Sequence, residues 1–186
     1  TLFRSSWGRY RDDIPSHWKN MAADGIAYQK EWLRTTEGVI KNLRNHPCIV
    51  TWVLFNESFG QFNAAEATQR VKALDPTRPI DAVRGWSDQK CGSYLSVHNY
   101  FRSLRVYPDR AVPPRAFVIS EFGGITFNVP DHRSLDSDYG YDSFIDADEW
   151  RAAVKYVIDC ADAQEPNGLI GYVFTQLTDV EEETNG

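Results

Sequence analysis

The chain of 186 residues has few cysteines and no pattern among them. Three are present, Cys48, Cys91 and Cys160, far apart and odd in number, with no C-x-x-C pair and no histidine at zinc-finger spacing. These absences argue against a disulfide framework and against a cysteine-based metal site. We therefore expect three free thiols in buried or partly buried positions.

Long hydrophobic runs and blocks of positive charge are absent as well. No apolar run approaches the ~18–20 residues that a bilayer span needs, and no basic head with an apolar stretch opens the chain. Lys and Arg number 20 against 26 Asp and Glu, a formal net charge of −6. We expect a soluble protein that binds neither membrane nor nucleic acid. Its compartment stays open, cytoplasmic, periplasmic or secreted, because the chain begins at Thr1 without a Met.

The motifs of several enzyme classes are also missing. There is no G-x-S-x-G elbow, no H-E-x-x-H, no G-x-x-x-x-G-K-[ST] and no G-x-G-x-x-G, which argues against serine hydrolases, zincins, P-loop proteins and dinucleotide-binding folds. His98, Asp179 and Glu181 could gather a cation, but no spacing demands it. The sequence therefore predicts no catalytic metal and no cofactor.

What the chain does contain is the composition of one globular domain, with 42% hydrophobic and 25% charged residues. Apolar residues recur at helical spacing from Asp24 to Arg44, which predicts an amphipathic helix. Asn45-His46-Pro47 ends it, and the nearly continuous apolar run Ile49–Phe55 is typical of a strand covered on both faces. Residues 1–22 show no clean period and are expected to form a loop region.

Strands and helices then alternate along the rest of the chain. Such alternation is typical of α/β folds with parallel strands. A polar, Asp-rich loop is expected over Pro130–Asp142. The expected elements are a helix near Ala64–Leu74, strands at Ile80–Val83, Tyr94–His98 and Phe117–Ser120, a helix from about Asp148 to Gln164, and a last strand at Leu169–Thr175.

Two glutamates stand out by their position. Glu57 follows the strand Ile49–Phe55, and Glu121 follows the strand Phe117–Ser120. Carboxyl ends of parallel strands are where α/β folds bind ligands, so two carboxylates there could form an acid/base or acid/nucleophile pair. The alternative is that both are solvated loop residues, which leaves the small residues after Glu121, Gly123 and Gly124, without a purpose.

Four ordered segments resemble glycoside hydrolase family 2, the family of β-galactosidases and β-glucuronidases. Asn45-His46-Pro47, the apolar strand and Asn56-Glu57 look like its acid/base signature. Asp75-Pro76-Thr77-Arg78-Pro79 resembles its connector, and Ser120-Glu121-Phe122-Gly123-Gly124 resembles its nucleophile segment. The run from Thr175 to Glu181, followed by Asn185-Gly186, is similar to the last strand and its loop in one bacterial branch.

The resemblance implies a retaining β-glycosidase built on a (β/α)8 TIM barrel, acting on a carbohydrate by double displacement. Glu57 would be the acid/base after the fourth strand and Glu121 the nucleophile after the seventh. Asn56 would hold the sugar 2-hydroxyl. His98, Asn99 and Tyr100 end the strand where the family places polar residues that steer the nucleophile or the sugar, and Tyr100 is the expected partner of Glu121.

One position departs from the family pattern. Many members carry Trp late in the eighth strand as a sugar platform, whereas this chain has Phe174. Phe can stack on a sugar but donates no N–H, so the sugar preference of relatives cannot be transferred. Trp7, Trp86 and Trp150 are alternative platforms, although Trp150 lies on a helix and is expected to pack. A β-galactoside is the first expectation, then a β-glucuronide or β-mannoside; the rival interpretation is a non-catalytic carbohydrate-binding remnant.

Length limits how much of the barrel is present. A full (β/α)8 barrel needs ~250 residues. We therefore expect residues 1–186 to be a single partial catalytic domain, an incomplete barrel with approximately strands 4–8, in which helix 24–44 precedes strand 4. The missing partners would be barrel strands 1–3 and the β-sandwich domains of a longer chain. Open sheet edges would then favour self-association.

Overall fold

The computed structural model describes residues 25–57, 61–83, 85, 88–100, 103–129, 131–132, 139–180 and 183–186. The chain divides into two compact units, unit 1 (residues 1–96 and 109–116) and unit 2 (residues 97–108 and 117–186). The predicted loop over 1–22, Trp7, Trp86 and Glu181 lie outside the described residues.

The described part of unit 1 contains two helices and a pair of parallel strands. In chain order its elements are α1 (Ile26–Leu43), β1 (Trp52–Phe55), α2 (Ala64–Leu74) and β2 (Ile80–Val83). β1 and β2 pair with Trp52 opposite Ile80 and Phe55 opposite Val83. Their buried side chains pack with Trp32 and Ile40 of α1 and Val71 of α2. This core fixes the carboxyl end of β1, where Asn56 and Glu57 follow.

The turn between α2 and β2 is held by a buried carboxylate. Asp75 is 2% exposed. Its Oδ2 accepts hydrogen bonds from Trp52 Nε1 (2.9 Å) and Arg78 Nη1 (2.7 Å). Its Oδ1 accepts one from the Thr77 amide (3.0 Å), and Arg78 also donates to the Ile49 carbonyl (2.6 Å). The connector segment therefore ties the end of α2 to the start of β1.

Unit 2 holds a three-stranded sheet in the order β3-β4-β7. The strands are β3 (Tyr94–His98), which enters the unit at Val97, β4 (Ala116–Gly123) and β7 (Leu169–Thr175). β4 and β7 are parallel, with Phe122 opposite Phe174, and their register shifts between Ile119 and Phe122. The remaining elements are β5 (Ile125–Phe127), its parallel partner β6 (Asp142–Phe144), α3 (Ala147–Asp162) and a short 3-10 helix, Glu165–Asn167.

Most predicted elements are present, with three differences. The first strand is shorter than predicted and begins at Trp52; just before it, Arg78 donates to the Ile49 carbonyl and Thr51 Oγ donates to the Pro79 carbonyl. β4 runs on to Gly123, so Glu121 lies within the strand and not after it. β5 and β6 were not predicted, since strands of three residues carry too little periodicity.

The cysteines and helices agree largely with the sequence-based expectations. All three cysteines are free; Cys91 and Cys160 are partly buried, whereas Cys48 is exposed, because it lies in the turn after α1. Among the described helices, none is both long enough and apolar enough to cross a membrane.

The Asp75 network predicts a sensitive point for stability. Replacing Asp75 by Ala leaves Arg78 and Trp52 without their acceptor, and breaking such a buried pair should lower the free energy of unfolding of the full-length protein by about 3 kcal/mol. Asp75→Asn keeps an acceptor oxygen and should cost less. The control Glu37→Ala removes an exposed pair with Lys41 (3.3 Å) and should change stability by less than about 0.5 kcal/mol. Urea unfolding at neutral pH measures all three, and a wild-type value for Asp75→Ala would contradict the role.

The same carboxylate predicts how stability depends on pH. Burial raises the pKa of Asp75, but the hydrogen bonds from Thr77, Trp52 and Arg78 outweigh it and hold the pKa well below its usual value. Because the folded-state pKa is depressed, this stabilisation is complete above the unfolded pKa and is lost as the pH falls below about 4. The wild type should therefore lose more stability than Asp75→Asn between about pH 4 and pH 2.

Candidate active site

Glu121 is the centre of a polar cluster in unit 2. Its Oε2 accepts a hydrogen bond from Tyr100 Oη at 2.8 Å. His98 Nδ1 lies 3.0 Å from the same oxygen. The Asn99 amide donates to the main-chain carbonyl of Glu121 at 2.9 Å. Three consecutive residues at the end of β3 thus contact one glutamate of β4.

The local backbone explains why His98 and Tyr100 face Glu121 together. Residues two apart in an extended segment point to the same side, and the residue between them points to the other. Asn99 accordingly directs its side chain away, with Nδ2 donating to the Ser103 carbonyl (3.4 Å). Ser120 Oγ donates to the Val97 carbonyl (3.4 Å), which joins the two strand ends again. Asn99 thus contacts Glu121 through its main chain, whereas His98 and Tyr100 approach the carboxylate with their side chains.

A second tyrosine holds Tyr100 in place. The rings of Tyr100 and Tyr141 stack with centroids 4.0 Å apart and planes at 17°. Tyr141 donates its amide to the Gly124 carbonyl (2.8 Å), and the Gly124 amide donates to Thr175 O (2.6 Å). Gly124 has a φ of +65°, and a side chain there would collide with both rings. Tyr141 was not predicted as a site residue, because it lies in the segment that the sequence predicts to be a polar loop. The available signal was an aromatic residue directly after Gly140 in that polar segment.

The environment of Tyr100 keeps its hydroxyl protonated. Burial raises the pKa of Tyr100 well above its ordinary value, and the charge of Glu121 raises it further. A carboxylate can only accept, so the phenol is the donor in this pair. The expected pairing of Tyr100 with Glu121 is therefore present, with the phenol hydroxyl donating to the glutamate side chain.

Phe174 lies on β7, at the position where the sequence predicts an aromatic residue that stacks on the sugar. Its ring meets Phe122 edge to face, with centroids 5.6 Å apart. A side chain at Gly123, where φ is +100°, would run into this ring. Trp150, an alternative platform, donates Nε1 to the Ile125 carbonyl (3.1 Å) and packs near Phe127, as expected for a helix residue.

In unit 1, Asn56 and Glu57 follow β1 directly. Glu57 is only 9% exposed, and Asn56 is half-buried. A solvated loop glutamate, the alternative considered from the sequence, would be exposed. A buried carboxyl group at the carboxyl end of a parallel strand needs a structural or chemical reason, because burying its charge is costly.

Unit 1 also contains a buried carboxylate that the sequence analysis did not single out. Asp81 on β2 is 4% exposed, and Ser96 Oγ donates to its Oδ2 at 2.7 Å. The available signal was a charged residue inside an otherwise apolar strand of four residues, Ile80–Val83. Asp179, named as a conceivable cation ligand, accepts a hydrogen bond from the Gly186 amide (3.0 Å).

The chain is similar to known glycosidases over much of its length. The family model "Glycosyl hydrolases family 2, TIM barrel domain" matches residues 6–144. A beta-galactosidase of Klebsiella pneumoniae is 32% identical over 94 residues, 50% of this chain and 9% of that protein. A beta-galactosidase of Staphylococcus xylosus is 28% identical over 144 residues, 70% of this chain and 14% of that protein.

These matches agree with the arrangement of the described residues. The strands described in unit 1 and the β4–β7 pair are parallel and alternate with helices, as in the TIM barrel class. The matched segments amount to 9% and 14% of the two relatives, so the chain spans a small part of their length. The family model covers the larger part of this chain, including Glu57 and Glu121. The chain belongs to the glycosyl hydrolases of family 2, within their TIM barrel domain.

Proposed function

We propose that this chain supplies the catalytic glutamates of a retaining β-glycosidase, with Glu121 as nucleophile and Glu57 as acid/base. The observation that carries the proposal is the Glu121 cluster. The partly buried Tyr100 donates to one oxygen of this carboxylate at 2.8 Å and so restricts its orientation. The nucleophile of a retaining enzyme must be a carboxylate held in a defined orientation toward the anomeric carbon.

The reaction follows from two carboxyl groups with different tasks. The mechanism needs them ~5–5.5 Å apart on either side of the glycosidic bond. A Glu121 oxygen bonds to the anomeric carbon while the bond from that carbon to the leaving oxygen breaks and Glu57 transfers its proton to that oxygen. Water then attacks the anomeric carbon, its proton goes to Glu57, and the ester bond to Glu121 breaks. The product sugar keeps its configuration after two inversions.

The burial of Glu57 is consistent with the acid role. In the free enzyme this residue must hold a proton, and burial disfavours the charged form of a carboxyl group. Asn56 precedes it at the end of the same strand and offers both a donor and an acceptor, which suits contact with the sugar 2-hydroxyl.

We propose a β-galactoside as the substrate, because the relatives reported above carry the name beta-galactosidase. Phe174 provides an apolar face without a hydrogen-bond donor, so the preference of the relatives for a particular sugar need not be the same in this protein. A β-glucuronide and a β-mannoside are the next candidates.

We further propose that the chain is a partial barrel, approximately strands 4–8, that works with the missing strands and β-sandwich domains of a longer protein. β7 would be the eighth strand. Its side chains Ile170, Tyr172 and Val173 are 61%, 37% and 50% exposed, which is unusual for a strand of a TIM barrel, where helices cover the outer face and side chains fill the interior.

The nucleophile assignment is tested by trapping. A 2-fluoro glycoside with an activated leaving group should form a stable ester, and peptide mass spectrometry of the full-length protein should find it on Glu121. Galactosyl, glucuronyl, mannosyl and glucosyl reagents are compared, with the galactosyl reagent expected to react fastest. Glu121→Gln is the matched control and should take no label. Labelling of another residue, or of none with any of the four sugars, contradicts the retaining assignment and favours the non-catalytic carbohydrate-binding interpretation.

The acid/base assignment predicts a dependence on the leaving group. Glu57→Ala should lower turnover of glycosides with poor leaving groups by at least about a hundredfold, while activated aryl glycosides lose much less in the first step, which needs no proton. Azide should restore turnover by replacing water in the second step and should give the β-glycosyl azide. Equal losses on both substrate types would rule out the role. Glu121→Ala, by contrast, should lose nearly all activity on every substrate.

The partial barrel predicts poor behaviour of residues 1–186 alone. With two open sheet edges the isolated polypeptide should be poorly stable or self-associating. Its activity should be at least about a hundredfold below that of the full-length protein, which corresponds to ~2.7 kcal/mol of transition-state binding. Size-exclusion chromatography with a thermal melt measures the first property, and a fluorogenic glycoside assay measures the second. A monodisperse, cooperatively melting monomer with undiminished turnover would show that the strand count is wrong.

A further inference from the structure

An exposed tyrosine lies next to the Glu121 cluster, within the same unit of the chain. Tyr139 is 40% exposed, and its ring meets that of Tyr141 edge to face, with centroids 6.5 Å apart and planes at 65°. Tyr141 in turn stacks on Tyr100, whose hydroxyl donates to Glu121. Two aromatic contacts and one hydrogen bond therefore connect Tyr139 to the candidate nucleophile.

Two buried threonines hold the main chain of Tyr139. Its amide donates to Thr184 Oγ1 at 2.7 Å, and Thr126 Oγ1 donates to its carbonyl oxygen at 3.1 Å. Thr184 is 2% exposed and Thr126 is 1% exposed. Both main-chain polar groups of this surface residue are therefore bonded to the interior, which restricts where its ring can lie.

The residue after Tyr139 packs so closely that it has no room for a side chain. A Cβ atom at Gly140 would collide with Thr126 Oγ1 and would lie 2.9 Å from the Gly124 carbonyl oxygen. The amide of Tyr141 donates to that same oxygen at 2.8 Å. The segment 139–141 is thus already ordered, so a ligand that binds to it has less conformational entropy to remove.

We propose that Tyr139 is a sugar-binding residue, on whose ring the leaving-group sugar of the substrate stacks. This inference rests on the proposed function and adds a contact to it. A single exposed aromatic residue is ordinary at a protein surface. Tyr139 differs because its main chain is held from both sides and because it adjoins the nucleophile. Its ring offers an apolar face to the C–H groups of a sugar, and its hydroxyl can donate to or accept from sugar hydroxyls.

The position of Tyr139 favours the leaving group as the part of the substrate that it binds. In the proposed reaction a terminal sugar lies directly at Glu121. The ring of Tyr139 is farther out, because the rings of Tyr100 and Tyr141 lie between it and the carboxylate. A terminal sugar is linked on one side only, so the substrate beyond it is the leaving group. A disaccharide therefore supplies a ring for Tyr139, whereas a methyl glycoside does not.

Two substrates with the same terminal sugar test the contact in the full-length protein. The terminal sugar is the one whose 2-fluoro reagent labels Glu121 fastest, and the leaving groups are glucose and methanol. Tyr139→Ala should lower kcat/KM for the disaccharide about three- to tenfold, the size of one aromatic contact. It should leave kcat/KM for the methyl glycoside within about twofold of the wild type, since that substrate has no second ring.

Further variants separate the aromatic ring from mere bulk. Tyr139→Phe keeps the ring and should stay within about twofold of the wild type on the disaccharide, whereas Tyr139→Leu should behave as Tyr139→Ala. Tyr156→Ala alters a tyrosine of α3 that is 68% exposed. It is the matched control and should behave as wild type on both substrates.

The threonine that accepts from the Tyr139 amide gives a second test. Thr184→Val removes the acceptor oxygen at nearly unchanged shape, and it should lower kcat/KM for the disaccharide at least about threefold, the loss expected for one hydrogen bond. The methyl glycoside should be hydrolysed as by the wild type. Thr184→Ser keeps the acceptor and should retain disaccharide turnover. Where Thr184→Val does not fold, the comparison of Tyr139→Phe with Tyr139→Leu decides.

Two results would overturn the inference and leave the proposed function standing, provided that the wild type is labelled at Glu121. The first is an equal loss on both substrates in Tyr139→Ala, which would indicate a structural role. The second is an unchanged kcat/KM for the disaccharide in that variant. If the wild type takes no label at Glu121, the proposed function fails and the inference fails with it.

Discussion

The hydrogen bond between the Asn99 amide and the Glu121 carbonyl is the contact on which the candidate nucleophile depends. It fixes the end of β3 beside the point where β4 is irregular. Because His98 and Tyr100 flank Asn99, their side chains fall on one side of the chain and converge on Glu121. The stacking of Tyr141 on Tyr100 is in turn possible because Gly124 has no side chain.

Buried charge is stabilised in the same way elsewhere in the chain. Arg115, with a side chain 7% exposed, pairs with Asp88 and Asp109, each at 2.7 Å, and also donates to the Cys91 carbonyl at 3.0 Å. Hydrogen bonds from Arg115 hold the pKa of Asp109 well below its usual value, although burial opposes the shift. Such clusters, like that of Asp75, fix the turns and loops between strands. The residues at the carboxyl ends of the strands are then not needed to hold these turns and loops in place.

The relation to family 2 glycosidases is clearest at the ends of β1 and β4 and in the connector between α2 and β2. The two glutamates, the connector with Asp75 and Arg78, and Tyr100 all lie within the segment that the family model matches. Phe174 is the position at which the sequence departs from the family pattern. Phe174 has an apolar ring where many members carry Trp, and the buried imidazole of His98 lies 3.0 Å from the Glu121 carboxylate.

The sequence by itself determined the elements with strong periodicity and clear ends. The helix Ala64–Leu74 and the strands Ile80–Val83 and Leu169–Thr175 have the predicted bounds, because apolar spacing and the flanking Pro, Asn and Gly residues act locally. The family motifs also led to the prediction that Tyr100 would be the partner of Glu121, and the two side chains are hydrogen-bonded. Tertiary structure alone decided the extension of β4 through Glu121, since pairing with β7 carries that strand past its irregular register. It alone decided that His98 and Tyr100 meet the same oxygen, because that convergence depends on how two strands separated along the chain are aligned, and no local pattern records it.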